Sequence, residues 1–205
     1  KPVVDACPAG EENLPVRWAA LLGALGEADT RRVLKRLRCS NACIEETAVL
    51  VREAAGQGVR RSFSEDRPLG WDPAAAGSRA GDGMARFVSE EKASAHPGDI
   101  HLRQLLGRYG LCTVERLCAL CAALHPQAAP ACALAAQRAH QLEADGVCCR
   151  VSQLAVNGRD LMAAGIPAGP ALRRVLEALL DGVIRAEYPN EKTALLAAAQ
   201  KIIAS

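Results

Sequence analysis

Aromatic residues are scarce in this chain: Phe, Tyr and Trp together make up 3% of its 205 residues. A core with few rings must be built from aliphatic side chains, and half of the residues are hydrophobic. Proteins that hold splayed single-stranded bases use aromatic rings as stacking platforms. The scarcity therefore argues against nucleic-acid recognition by base stacking.

Long apolar runs are also missing, since no stretch reaches the roughly eighteen residues that a membrane-spanning helix needs. No secretory signal peptide is visible. We therefore expect a cytoplasmic protein whose nine cysteines are reduced thiols, with no membrane partner. The net charge of +2 neither requires nor excludes a nucleic-acid partner, because local patches matter more than totals.

The usual catalytic and cofactor motifs are absent. No phosphate-binding loop, no dinucleotide-binding glycine pattern and no Asp-x-Asp pair occurs, and the four histidines are scattered. Cys118 and Cys121, with His125 four residues on, are the one set with metal-ligand spacing, but no second pair accompanies them, so buried free thiols are the favoured interpretation. We predict no catalytic residue, no metal and no cofactor in this chain. An enzyme whose site assembles from distant residues remains an alternative.

Apolar periodicity and turn residues predict an all-α fold, with a helical bundle body at 1–149 followed by a small helical tail at 150–205. Helices are expected over 14–26, with Pro15 in the first turn, over 30–38, capped by Asp29 or Thr30, and from Ser40 or Asn41 to about 55. Residues 57–98 are predicted to be irregular or inserted, with one short helix at 84–93. Further body helices follow a cap at Asp99, a cap at Thr113 and over about 128–145.

The tail has the clearest pattern. A short helical turn begins at Ser152, Asn157-Gly158 interrupts it, and a brief helix closes at Gly165. Leu172, Val175, Leu176, Leu179, Leu180 and Val183 then fall on one helical face. A final helix follows Pro189-Asn190-Glu191.

Two basic features are candidates for phosphate binding. The helix at 30–38 carries Arg31, Arg32, Lys35, Arg36 and Arg38 on an outward stripe, opposite Val33, Leu34 and Leu37. The second is the helix start at Gly169-Pro170, where unpaired N–H groups and Arg173 or Arg174 suit a phosphate. Each feature has a plainer interpretation: a solvated helix face for the first, and a chain-redirecting turn with arginines paired to Glu177 or Asp181 for the second.

The segment LAVNGRDLMAAGIPAGPALRRVLEALLDGVIRAEYPNEKTALL, residues 154–196, resembles the tail domain of bacterial CCA-adding tRNA nucleotidyltransferases. The shared features are the N-G-R-D-L run, the G-I-P-x-G-P turn, the amphipathic helix after it and the P-N-E start of the last helix. Residues 14–54 and DIHLRQLLGRYG at 99–110 resemble the helical body of the same enzymes more weakly. The resemblance implies that the chain binds tRNA, and that Arg31, Arg32, Lys35, Arg36, Arg159, Gly169, Arg173 and Arg174 contact it.

The departures from that family concern catalysis. Many relatives carry a His-Asp metal motif where this chain has Gly23-Ala24-Leu25-Gly26-Glu27, and an Ala in VREAA (51–55) replaces a later metal-ligating His. The family's nucleotide-reading E-D-x-x-R motif is only mimicked at Glu65-Asp66. The nucleotidyltransferase head, with its paired carboxylates and magnesium, has no counterpart here.

The resemblance thus implies the tRNA-holding C-terminal part of such an enzyme, which grips the elbow and T arm by shape and phosphate, with an upstream head as a possible partner. The alternative is a helical protein-interaction or regulatory domain that has lost RNA binding.

Overall fold

The structure is a computed structural model, and it describes residues 3–55 and 97–204. Over these residues the chain forms ten α-helices and no strand, which confirms the predicted all-α class. In chain order the helices are α1 (Val3–Ala6), α2 (Leu14–Leu22), α3 (Glu27–Arg36), α4 (Asn41–Ala55), α5 (Pro97–Tyr109), α6 (Leu111–Leu124), α7 (Ala129–Ala144), α8 (Gly158–Ala163), α9 (Pro170–Ile184) and α10 (Lys192–Ala204). The predicted short helix at 84–93 and the pair Glu65-Asp66 lie outside the described residues.

Contacts divide the described chain into two compact units. The N-terminal unit comprises residues 3–55 and 109–143, and the C-terminal unit comprises residues 97–108 and 144–204. The assignment of 1–149 to a body and 150–205 to a tail stays a prediction. The contacts add that most of α5, which the sequence placed in the body, packs with the C-terminal residues.

Glycines set several helix boundaries in the N-terminal unit. Helix α2 has Pro15 in its first turn and continues as a 3-10 turn to Leu25, after which Gly26 adopts a φ of +81°. The predicted closure at Gly26 is therefore confirmed. The same glycine opens α3 at Glu27, so the predicted start at Asp29 or Thr30 is wrong. Thr30 is fully buried and its hydroxyl donates to the carbonyl oxygen of Leu22 instead of capping the helix.

Two other predicted caps are wrong for a related reason. Helix α6 begins at Leu111 after Gly110, whose φ is +78°, so Thr113 lies inside its first turn. Helix α5 already begins at Pro97, because proline fits the first turn of a helix, and Asp99 lies within that turn. The cap at Ser40 is confirmed, since the backbone N–H of Cys43 donates to its hydroxyl at 3.3 Å.

The core of the N-terminal unit is aliphatic, as the scarcity of aromatic residues required. Leu34 of α3 is buried against α4, and α2, α4 and α6 pack together. Leu37 was expected on the inward face of α3, but it is 54% exposed because the helix ends at Arg36 and Arg38 turns the chain with a φ of +57°. The largest fully buried side chains here are Val16, Leu34, Leu50, Val51, Val114 and Leu120.

The helices and turns of the C-terminal unit follow the predicted pattern closely. Asn157 caps α8: its side chain accepts from the N–H groups of Arg159 and Asp160, while Asp160 accepts from the N–H of Asn157. The predicted apolar face of α9 is confirmed, because Val175, Leu179 and Val183 are buried and the three remaining leucines pack against the same core. Asn190 ties the start of the last helix to the 3-10 turn Val151–Gln153, donating to Gln153 O and accepting from Ala155 N.

Candidate nucleic-acid interface

Helix α3 is less basic than predicted, because its first turn contains the acids Glu27 and Asp29. Arg31 forms salt bridges with Glu27 at 3.1 Å and with Glu45 of α4, and these bonds raise the pKa of Arg31 further. Arg32 pairs with Asp29 at 3.0 Å. The predicted helix began three residues too late, and its acidic first turn was therefore missed. Two of the four candidate cations are therefore partly neutralised.

The other two candidates of α3 are less neutralised, although Lys35 lies close enough to Glu45 to add to the effect of Arg31 in lowering the pKa of that carboxyl. Lys35 and Arg36 are exposed and form no salt bridge with any residue that the structure describes, and Arg38 shares both properties. They cluster at the C-terminal end of the helix, where cations are also favoured by the helix dipole. This end of α3 is the stronger part of the predicted stripe.

The start of α9 has the predicted backbone but not the predicted arginine contacts. Gly169 is exposed with a φ of +132°, and Pro170 occupies the first turn. Arg173 leans along the helix toward Glu177, with 2.8 Å between Nε and the carboxylate, and that bond raises the pKa of Arg173. This is the plainer interpretation that the sequence allowed. Arg174 is exposed and unpaired in the described chain, so it is the arginine left for a phosphate at this helix start.

Arg159 lies exposed in the first turn of α8. The residue after it, Asp160, receives a hydrogen bond from Lys192 at 2.6 Å, and that bond together with the Asn157 N–H lowers the pKa of Asp160. Lys192 is thus engaged by Asp160, whereas Arg159 forms no described ion pair. Arg159 therefore remains a candidate for phosphate contact.

A groove that the sequence did not predict lies within the C-terminal unit. Its volume is about 790 Å³, and it is open to solvent on one side. Three arginines and two carboxylates line it: Arg108, Arg150, Arg173, Glu177 and Asp181. Gln104, Gly107 and Ser152 contribute to the lining as well. The available signal was the spacing of Gln104, Gly107 and Arg108, which puts two polar side chains and a glycine on one face of the helix.

A buried arginine joins the elements around this groove. Arg103 is 9% exposed, and it donates to the carbonyl oxygens of Ile184 at 3.0 Å and Cys148 at 3.3 Å. Its Nε has no hydrogen-bond partner among the described residues. Because Ile184 ends α9, Arg103 satisfies a helix carbonyl that has no partner within the helix. Sequence reasoning missed this residue, since its role depends on contacts far apart in the chain.

The structure does not bring Cys118, Cys121 and His125 together as a set of metal ligands. Cys118 and Cys121 are buried, and burial raises the pKa of Cys118 to about 12 and that of Cys121 well above its usual value. Such thiols stay protonated at neutral pH. His125 is exposed at the end of α6. Over residues 3–55 and 97–204 no group of three or more His, Cys, Asp or Glu side chains could hold a metal ion.

Comparison with known proteins finds two matches, each to part of this chain. Residues 111–199 match the family model described as tRNA nucleotidyltransferase domain 2. A segment of 45 residues is 53% identical to a CCA-adding enzyme of Levilactobacillus brevis, and this segment covers 22% of the chain and 11% of that enzyme. No solved structure matches. These matches confirm the resemblance to CCA-adding enzymes. No helix in the described part of the chain is long and apolar enough to cross a membrane.

Proposed function

We propose that this chain is the tRNA-binding C-terminal part of a CCA-adding tRNA nucleotidyltransferase and that it holds the elbow and T arm of tRNA. The observation that carries the proposal is the family match over residues 111–199, which includes Arg159, Gly169, Arg173 and Arg174. The chemistry of nucleotide addition, with its magnesium ions, would belong to an upstream head domain. The cytoplasm is the compartment in which such a protein would meet tRNA.

Phosphate contacts are the mode of recognition that these residues suit best. Duplex RNA hides its base edges in a deep, narrow major groove, so proteins grip it by shape, phosphates and 2′-hydroxyls. The exposed cations of α3, α8 and α9 can supply phosphate contacts, whereas the six aromatic residues of the chain offer little for stacking. Such binding releases counterions, and it therefore weakens steeply as salt rises.

The proposal is tested by measuring the affinity of the full chain for tRNA lacking its CCA end over a series of salt concentrations. We expect affinity to fall on the order of a hundredfold or more across a fourfold increase in salt. Replacing Lys35 and Arg36 together by Ala should lower the slope of log affinity against log salt by about 2, since each provides one phosphate contact.

The matched control is the pair Arg31→Ala and Arg32→Ala on the same helix. Because these arginines already pair with acids, their removal should change the slope less. Absence of tRNA binding at low salt would contradict the proposed function. An unchanged slope in the Lys35 and Arg36 variant would show that α3 is only a solvated helix face.

A protein-binding domain is the second candidate, and exposed leucines favour it. Leu21 is 59% exposed at the end of α2, and Leu25, one turn on, is 51% exposed. Apolar side chains left in water are typical of surfaces that a partner covers. If this function holds, Leu21→Ser with Leu25→Ser should leave the chain folded and abolish association with its partner, while tRNA should not bind at any salt concentration.

A further inference from the structure

The groove described above is formed entirely by elements of the C-terminal unit. One wall is the face of α5 that carries Gln104, Gly107 and Arg108, and the opposite wall is α9. The side chains that α9 contributes recur at helical spacing, from Arg173 through Glu177 and Asp181 to Ile184. Residues 149–152 supply the rest of the lining. A phosphate-sized group would therefore meet side chains from three separate segments.

Both carboxylates that line this groove have cationic partners. Asp181 accepts from Arg185 at 2.7 Å and from Gln104 at 3.1 Å, so a cation outside the groove already compensates it. Glu177 is held by Arg173. Arg108 is exposed and forms no ion pair with a residue that the structure describes. The groove thus presents more positive charge than its acids neutralise.

Hydrogen bonds from the buried Arg103 hold the segments that form the groove in place. Arg103 is bonded to Ile184 O, at the end of the α9 wall, and to Cys148 O, which directly precedes the lining residues 149–152. Its guanidinium is a buried cation that water screens poorly, and its Nε lacks a described partner. A fixed positive charge beneath a concave surface favours an anionic ligand, and a fixed wall lowers the entropy that binding costs.

We propose that this groove binds a phosphodiester group of an RNA strand, held by Arg108, Arg150 and Arg173, and that Glu177 competes with the phosphate for Arg173. The proposal rests on the proposed function, because it assigns the RNA contact to a defined site. The phosphate would take over the hydrogen bond that Arg173 now gives to Glu177. Removing the carboxylate charge should therefore strengthen binding, whereas removing the arginines should weaken it.

The test measures binding of the full chain to tRNA lacking its CCA end, to a short oligouridylate and to cytidine monophosphate at one fixed salt concentration. Arg108→Ala with Arg150→Ala should weaken binding to tRNA and to the oligouridylate about tenfold, since charge-assisted hydrogen bonds are lost. Glu177→Gln should strengthen both several-fold. Glu187→Gln removes the same charge from an exposed residue outside the groove, so it should have a much smaller effect.

The outcomes separate this proposal from the proposed function. If tRNA binds but the groove variants bind it like the parent chain, the groove proposal is overturned and the proposed function stands. If the oligouridylate binds through the groove but tRNA does not bind, the groove proposal stands and the proposed function fails. Binding of cytidine monophosphate alone, lost in the groove variant, would show a mononucleotide site and would overturn the assignment to an RNA strand.

Discussion

At the scale of single residues, Gly107 shows how one close backbone contact can require a particular amino acid at a position. A Cβ built on Gly107 would overlap the carbonyl oxygen of Cys149, a backbone atom that cannot turn away as a flexible side chain can. The residue lies inside helix α5, where alanine would otherwise be the better helix former. The glycine is therefore required by the close approach of residue 149, which forms part of the groove.

We predict that Gly107→Ala lowers the free energy of unfolding by about 1–3 kcal/mol, because the added methyl forces the two backbones apart. Urea unfolding measures this directly. Gly23→Ala is the control: its Cβ would meet nothing within 4 Å and its φ is −56°, so it should be neutral or slightly stabilising. Equal stability of the two variants would show that residue 149 moves aside at little cost.

The partners of single residues were predictable only where they lie close in sequence. Arg173 and Glu177 are one helical turn apart, and their pair was among the alternatives that the sequence allowed. The bond from Arg31 to Glu45 and the contacts of Arg103 join segments that the sequence could not bring together. The candidate site was consequently predicted as separate charges, and the groove, which only Arg173 among them lines, was missed.

At the scale of elements, most helices and their apolar faces were predictable, but helix starts were not, and the four-residue helix α1 was not predicted. Hydrophobic periodicity located α9 and its buried face correctly. Starts were assigned to polar caps such as Thr30 and Thr113, whereas Gly26 and Gly110 set them through positive φ. Glycine can turn the chain with no side-chain hydrogen bond, so a nearby Ser or Thr is a misleading signal. This error hid Glu27 and Asp29, and it made α3 look more basic than it is.

The junction of α8 and α10 yields a prediction about pH. The hydrogen bond from Lys192, with help from the Asn157 N–H, lowers the pKa of Asp160 below its ordinary 3.8. A carboxyl whose pKa is lower in the folded state contributes stability above its unfolded pKa and loses it as pH falls through the folded pKa. Lys192→Met should therefore destabilise the protein at neutral pH, and the difference from the parent should vanish in strong acid.

Urea unfolding at several pH values measures that difference. Lys201→Met is the control, because Lys201 is exposed on the same helix and forms no described ion pair. It should change stability little at any pH. A Lys192→Met effect that stays constant down to strong acid would contradict the role of Asp160, since it would then come from packing rather than from charge.

At the scale of the whole molecule, composition and periodicity predicted one property, and the motif at 154–196 predicted another. Composition and periodicity led to the all-α class, and the ordered motif at 154–196 led to the resemblance to CCA-adding enzymes. Neither could group α5 with the C-terminal residues, because that grouping depends on long-range contacts such as those from Arg103 to Ile184 and Cys148. The proposed function rests on the family match, which covers residues 111–199.

The last prediction is that this chain by itself adds no nucleotides to tRNA. Nucleotidyl transfer by two metal ions needs paired carboxylates to hold them, and the sequence contains no Asp-x-Asp pair. Incubation with tRNA lacking its CCA end, CTP, ATP and magnesium should therefore give no extension on a sequencing gel, while a complete CCA-adding enzyme extends the same tRNA. Extension above the control without enzyme would mean that carboxylates distant in sequence assemble a metal site. Binding without extension would instead place the chain's contribution in holding the substrate, as the exposed cations of α3 and α9 suggest.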